Sequence, residues 1–131
     1  MKEKNGKILV MDDEENIRTI TCILLEKMGY SPMATPDGET AVEEYRREFD
    51  AGNPYDAVIM DITVPEGMGA TEAIGKLKAI DPEVRAIVTS GLISEKSYDD
   101  LYCQGFLGVL KKPYRSVNLR NILERVLEIR N

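Results

Sequence analysis

The amino-acid sequence predicts an α/β protein: a doubly wound, five-stranded parallel sheet with helices on both faces. Two observations carry that expectation. Short apolar runs alternate five times with stretches whose apolar residues recur at helical spacing, and the connecting loops are short. The length of 131 residues suits one ordinary domain with one core, so residues 1–131 are read as a single unit. The pattern by itself does not give the strand order.

Taken in order, Lys7-Ile8-Leu9-Val10-Met11 is a buried strand closed by Asp12-Asp13-Glu14-Glu15, acidic residues that suit the positive end of a helix. Ile17, Ile20, Leu24 and Met28 then keep helical spacing, with Gly29 placed to end the helix in a left-handed cap. Tyr30 to Ala34 is interrupted by Pro32 and belongs near a sheet edge. Asp37-Gly38 opens a second helix with Val42, Tyr45 and Phe49 on one face, ended by the loop Asp50-Ala51-Gly52-Asn53-Pro54. A third strand runs from Tyr55 to Met60 and delivers Asp61, after which Pro65 stops regular structure.

The third helix turns Ala70, Ala73, Ile74, Leu77 and Ile80 inward and ends at Asp81-Pro82. Val84 to Thr89 forms a fourth strand before Ser90-Gly91. Ser94 is placed to cap a fourth helix with little more than Tyr98, Leu101 and Tyr102 to bury. Gly105 ends it, Phe106 to Leu110 is the fifth strand, and Leu119, Ile122, Leu123 and Val126 make the stripe of a final helix.

Composition narrows the function. Seventeen basic against 23 acidic residues give a net charge of -6 and a pI near 4.8, which argues against gripping nucleic acid or an anionic membrane through a basic field. No apolar run approaches the ~20 residues of a membrane helix, and no signal-peptide core follows Met1, so a cytoplasmic location is expected. Cys22 and Cys103 lack metal or redox spacing and are read as buried free thiols. With no histidine, the chain can hold neither a His-dependent triad nor a phosphohistidine; in phosphoryl chemistry it can only accept.

The unusual polar residues fall at strand ends: Asp12 and Asp13 after the first, Asp61 after the third, Thr89-Ser90 at the fourth and Lys112 after the fifth. In a parallel sheet these tips share one edge, where ligands collect. Each alone has a plain explanation, an N-cap, a turn or a solvated lysine. Together, three carboxylates require a cation, and hard oxygen ligands suit Mg²⁺. A divalent ion leaves one negative charge, which Lys112 offsets. Such a site suits phosphoryl transfer onto Asp61 as nucleophile, with Asp12-Asp13 as a metal platform, Ser90 as hydroxyl donor and Lys112 as point charge.

At these residues the chain resembles the response-regulator receiver domains of two-component signalling. The similar segments are Ile8 to Glu14, Asp61-Ile62-Thr63-Val64-Pro65 with Gly69, Thr89-Ser90-Gly91 and Lys112-Pro113-Tyr114. The resemblance implies a flavodoxin-like order 2-1-3-4-5. It implies phosphorylation of Asp61 by a histidine kinase or histidine phosphotransfer protein, and Mg²⁺ held by Asp13, Asp61 and the Thr63 carbonyl with Asp12 assisting. Ser90 and Lys112 then contact the phosphoryl group, and the Lys112-Pro113 bond is cis. Output passes to a downstream protein effector, around the fourth helix, fifth strand and last helix. The loop Glu66-Gly67-Met68-Gly69 is similar to receivers attached to hybrid sensor kinases, and Val109 stands where many members carry an aromatic switch residue.

Two other readings differ in kind. A degenerate receiver would be a protein-binding scaffold, against which the intact Asp13, Asp61, Ser90 and Lys112 argue. An aspartyl-phosphate phosphatase of the haloacid-dehalogenase type needs a second Asp two residues after its nucleophile, where this chain has Thr63. Beyond Mg²⁺-dependent self-phosphorylation and self-dephosphorylation at Asp61, no enzyme activity is expected. A nucleotide binder is disfavoured because no glycine-rich phosphate loop follows the first strand.

Overall fold

The computed structural model describes residues 6–62, 68–91 and 96–128. Ten elements alternate along them: β1 (Gly6–Met11), α1 (Glu15–Lys27), β2 (Tyr30–Thr35), α2 (Gly38–Asp50), β3 (Ala57–Asp61), α3 (Ala70–Ile80), β4 (Ala86–Ser90), α4 (Lys96–Gln104), β5 (Gly108–Lys111) and α5 (Ser116–Glu128). The five strands are parallel and lie in the order β2-β1-β3-β4-β5. Pro32, which has no N–H for a ladder, sits in the edge strand β2, as expected.

Alternation along each strand builds a core on each face. Leu9, Met11, Val58, Met60 and Val88 pack with α2, α3 and Leu101 of α4, whereas Ile8, Val10, Ile59, Ile87 and Leu110 pack with α1 and α5. The α5 stripe of Leu119, Ile122, Leu123 and Val126 is buried as the spacing predicts. The sheet and α5 are in close contact at Gly108, where a Cβ would lie 2.7 Å from Ile122 Cδ1. Leu101 is the one buried residue of α4 among those described.

The helix ends follow the expected chemistry. Asp37 caps α2 by accepting from the Thr40 N–H at 2.8 Å, and Gly29 takes φ of 94° after α1. Gly38 donates its N–H to the Met68 carbonyl at 2.8 Å, and a Cβ on it would stand 2.5 Å from that oxygen. The two peptides cross too closely for any side chain.

Several expectations need correcting. On α1 the buried residues are Thr21 and Leu25, while Ile20 is 55% exposed. Leu24 and Met28 of the apolar spacing do pack against the core, whereas Ile20 faces outward. Cys22 is half-buried and Cys103 exposed, because Cys103 lies on the outer side of the thinly packed α4. Asp61 and Ser90 are the last residues of β3 and β4 rather than the first beyond them, and β5 starts at Gly108 because its pairing with β4 begins there. The Ser94 cap lies outside the described residues.

Candidate functional site

β1 ends where it does because the chain must leave the sheet into α1, and this turn places Asp12 inside and Asp13 outside. Asp12 is 3% exposed, its N–H donates to the Thr35 carbonyl at 3.1 Å, and its Oδ1 accepts from the Glu14 N–H at 2.9 Å. Arg18, one turn into α1, donates through Nη1 to the Asp12 carbonyl at 2.7 Å and fixes the same turn from the helix side. Two strands are thus tied at the carboxylate, since Thr35 Oγ1 also donates to the Val10 carbonyl at 2.9 Å.

Asp61 closes the neighbouring strand β3 and is 1% exposed. One carboxylate oxygen from each of Asp12, Asp13 and Asp61 lies within 4.8 Å of the others. Lys112 supplies the opposing charge: its Nζ is 2.7 Å from Asp12 Oδ2 and 3.2 Å from Asp61 Oδ2. Burial alone would push the Lys112 ammonium down. Its hydrogen bond to Asp12 and the charges of Asp12 and Asp61 outweigh that, and it is held above the usual lysine value.

Ser90 ends β4, on the other side of β3, and is 1% exposed. Ile62 N–H donates to the Thr89 carbonyl at 2.9 Å, and Lys112 N–H donates to the Ser90 carbonyl at the same distance. These main-chain bonds lock the tips of β3, β4 and β5 into one edge. The Lys112-Pro113 peptide is cis, as the resemblance implied. Val109 is half-buried against the core of α2, α3 and α4.

Of the sequence-predicted residues, Asp12, Asp13, Asp61 and Lys112 converge as one cluster, and Ser90 lies at the adjacent strand tip. Thr63 lies outside the described residues. Arg18, Thr21 and Tyr114 were not anticipated as supports. Thr21 gave one signal, a polar residue within an otherwise apolar helical pattern; its Oγ1 lies 2.6 Å from the Tyr114 hydroxyl oxygen.

The donor set fits a divalent cation. Among the described residues of the cluster, three oxygen ligands of a hard type meet one ammonium, an excess of negative charge that a single Mg²⁺ would make good. No described helix is long and apolar enough to cross a membrane.

Comparison with known proteins gives consistent results. The family model of the response regulator receiver domain matches residues 8–124. The chemotaxis protein CheY of Bacillus subtilis is 32% identical over 126 residues, spanning 95% of this chain and 94% of its own. The CAI-1 autoinducer sensor kinase/phosphatase CqsS of Vibrio cholerae is 35% identical over 91 residues, 70% of this chain but 12% of its own length. Among solved structures, the receiver domain of a sensor histidine kinase from Pseudomonas aeruginosa PAO1, with a magnesium ion coordinated in its active-site cleft, superposes with a TM-score of 0.82 at 24% identity. The match covers 95% of this chain and 98% of that one.

Proposed function

The chain belongs to the response regulator receiver domain family, and on that footing we propose that it accepts a phosphoryl group on Asp61 from a histidine kinase or a histidine phosphotransfer protein. The observation that carries this reading is Lys112 Nζ bridging Asp12 and Asp61 with the Asp13 carboxylate alongside. An ammonium so placed can turn from Asp61 to an incoming phosphoryl oxygen without leaving Asp12.

In the transfer, an Asp61 carboxylate oxygen attacks phosphorus, the bond from phosphorus to the donor's imidazole nitrogen breaks, and that nitrogen keeps the electron pair; a proton carried on the other ring nitrogen lets the imidazole leave neutral. Lys112 compensates charge on the transferred oxygens, and the Ser90 hydroxyl donates a hydrogen bond to one of them. Asp13, Asp61 and the Thr63 carbonyl, with Asp12 assisting, would hold Mg²⁺, which when bound neutralises further charge on the phosphoryl oxygens. Burial of Asp12, Asp61 and Ser90 keeps water from competing for these contacts. A donor reaches the site beside an opening of about 490 Å³ bounded by Ile17, Ile20, Lys112, Pro113 and Tyr114, whose apolar wall suits a protein partner.

Signalling follows by population shift once the phosphoryl group draws Ser90 and Lys112 inward. The groove of about 690 Å³ lined by Tyr98, Val109, Lys111, Asn121, Ile122 and Arg125, spanning α4, β5 and α5, offers an effector its place. The acidic chain acts in the cytoplasm as one receiver unit, with no direct hold on nucleic acid or membrane. Incubation with Mg²⁺ and acetyl phosphate, read by intact mass, should give one phosphoryl adduct that Asp61→Ala abolishes. Absence of an adduct on the wild type would favour a scaffold, and turnover of p-nitrophenyl phosphate at enzyme rates would favour a phosphatase.

A further inference from the structure

The inward face of α1 carries a threonine where a helix of this packing would be expected to carry an aliphatic residue. Thr21 is 1% exposed and shares the buried face with Leu25. A buried hydroxyl is costly unless hydrogen-bonded, so its partner explains its presence. That partner is the Tyr114 hydroxyl at 2.6 Å, 93 positions along the chain.

Tyr114 lies two residues beyond Lys112. Besides the Lys112 Nζ contact with Asp12, the turn that carries both is fastened by Lys112 N–H to the Ser90 carbonyl on the sheet side and by Tyr114 to Thr21 on the α1 side. Ile17, Ile20, Thr21 and Gly91 border an opening of about 490 Å³ beside this turn, while the Tyr114 ring packs against the core shared with α1 and α5, so the hydroxyl pair adds a directed contact to that packing. Burial pushes the Tyr114 phenol up, and it stays a neutral hydroxyl able to give or take the bond.

We propose that Thr21 and Tyr114 are positioning residues for phosphoryl transfer: their hydroxyl pair clamps the Lys112-Pro113-Tyr114 turn to α1 and so aims Lys112 Nζ between Asp12 and Asp61. The proposal rests on Asp61 being the acceptor. It extends that reading to two residues that touch neither the phosphoryl group nor a metal ligand.

Thr21→Val and Tyr114→Phe remove one hydroxyl each at nearly constant volume, Thr21→Ser keeps it, and Leu25→Val perturbs the same helix face away from the turn. Initial rates of adduct formation with saturating phosphoramidate and Mg²⁺ should fall about threefold to tenfold in Thr21→Val and in Tyr114→Phe. The double variant should be no slower than either single one. Thr21→Ser should retain the wild-type rate, and Leu25→Val should lose melting temperature without losing rate. In metal-free protein, the amide ¹H–¹⁵N signals of Gly91, Lys111 and Lys112 should shift in both hydroxyl deletions and stay in place in Leu25→Val. Wild-type rates in both deletions, additive losses in the double variant, a slow Thr21→Ser, or an equally slow Leu25→Val would each overturn the proposal. If the wild type itself takes no adduct, the acceptor reading has failed, and the amide shifts alone then decide whether the clamp exists.

Discussion

The two ends of the sheet carry comparable numbers of charged side chains arranged to opposite effect. At the end where the strands begin, Lys7 Nζ meets Glu48 Oε1 at 2.6 Å, and Arg47 meets Glu44 at 2.7 Å and Glu48 at 3.0 Å. Tyr55 donates to Glu44 and lies under Lys7 Nζ, 4.5 Å from the ring centroid. Glu44 and Glu48 each have a cation in contact, so this pair is answered from within the fold. At the end where the strands finish, the described residues gather three carboxylates around the ammonium of Lys112. Balanced charge holds α2 to the sheet; unbalanced charge is a site that a ligand must complete.

Exchanging the two lysines tests that contrast most severely. Lys112→Met should slow adduct formation on Asp61 by about 10²-fold or more, as for loss of a group that compensates charge on the transferred oxygens. Lys7→Met should leave the rate at the wild-type value while lowering the denaturant midpoint; equal rates for both would erase the distinction.

A smaller effect is expected on adding the ion. Mg²⁺ at 100 times its dissociation constant should stabilise the wild type by about 2.7 kcal/mol, read as a rise in melting temperature. Asp13→Asn should weaken that response and, in a chelator, should itself melt higher than the wild type because one like charge has gone. A wild type indifferent to Mg²⁺ would refute a metal site here.

The smallest effect belongs to the balanced end of the sheet and to alkaline pH. Tyr45 donates to Asp81 Oδ2 at 2.7 Å, and burial, then this bond and the Asp81 charge, push its phenol well up. Its proton is held more tightly in the folded chain than in the unfolded one. The resulting stabilisation is complete below the ordinary phenol value of about 10 and is lost as pH rises toward the folded value. Urea midpoints measured between about pH 9 and about pH 11, one pH step on either side of that phenol value, should fall more steeply for the wild type than for Tyr45→Phe. Identical slopes would remove Tyr45 from the account.

Much of this contrast was legible in the sequence, because parallel strands oblige their final residues to share an edge. Asp12, Asp61 and Lys112 could be gathered from strand endings alone, and the α5 stripe from its spacing. What spacing could not give was the rotation of α1. Ile17, Ile20, Leu24 and Met28 form a plausible inward face, but Thr21 gains a partner in Tyr114 that local pattern cannot reveal, and the helix turns Ile20 outward. Arg18 escaped notice for a similar reason, since its contact is with the backbone of Asp12 rather than with a side chain.

The crossing at Gly38 sets a limit on how this protein can be re-engineered. The carbonyl of Met68 occupies the space a methyl group would need, so residue 38 acts as a spacer gauge between the peptide leaving β2 and the one entering α3. A library that varies position 38 while keeping the chain length between Asp61 and Ala70 should return glycine almost alone. Lengthening that connection should be what first admits alanine.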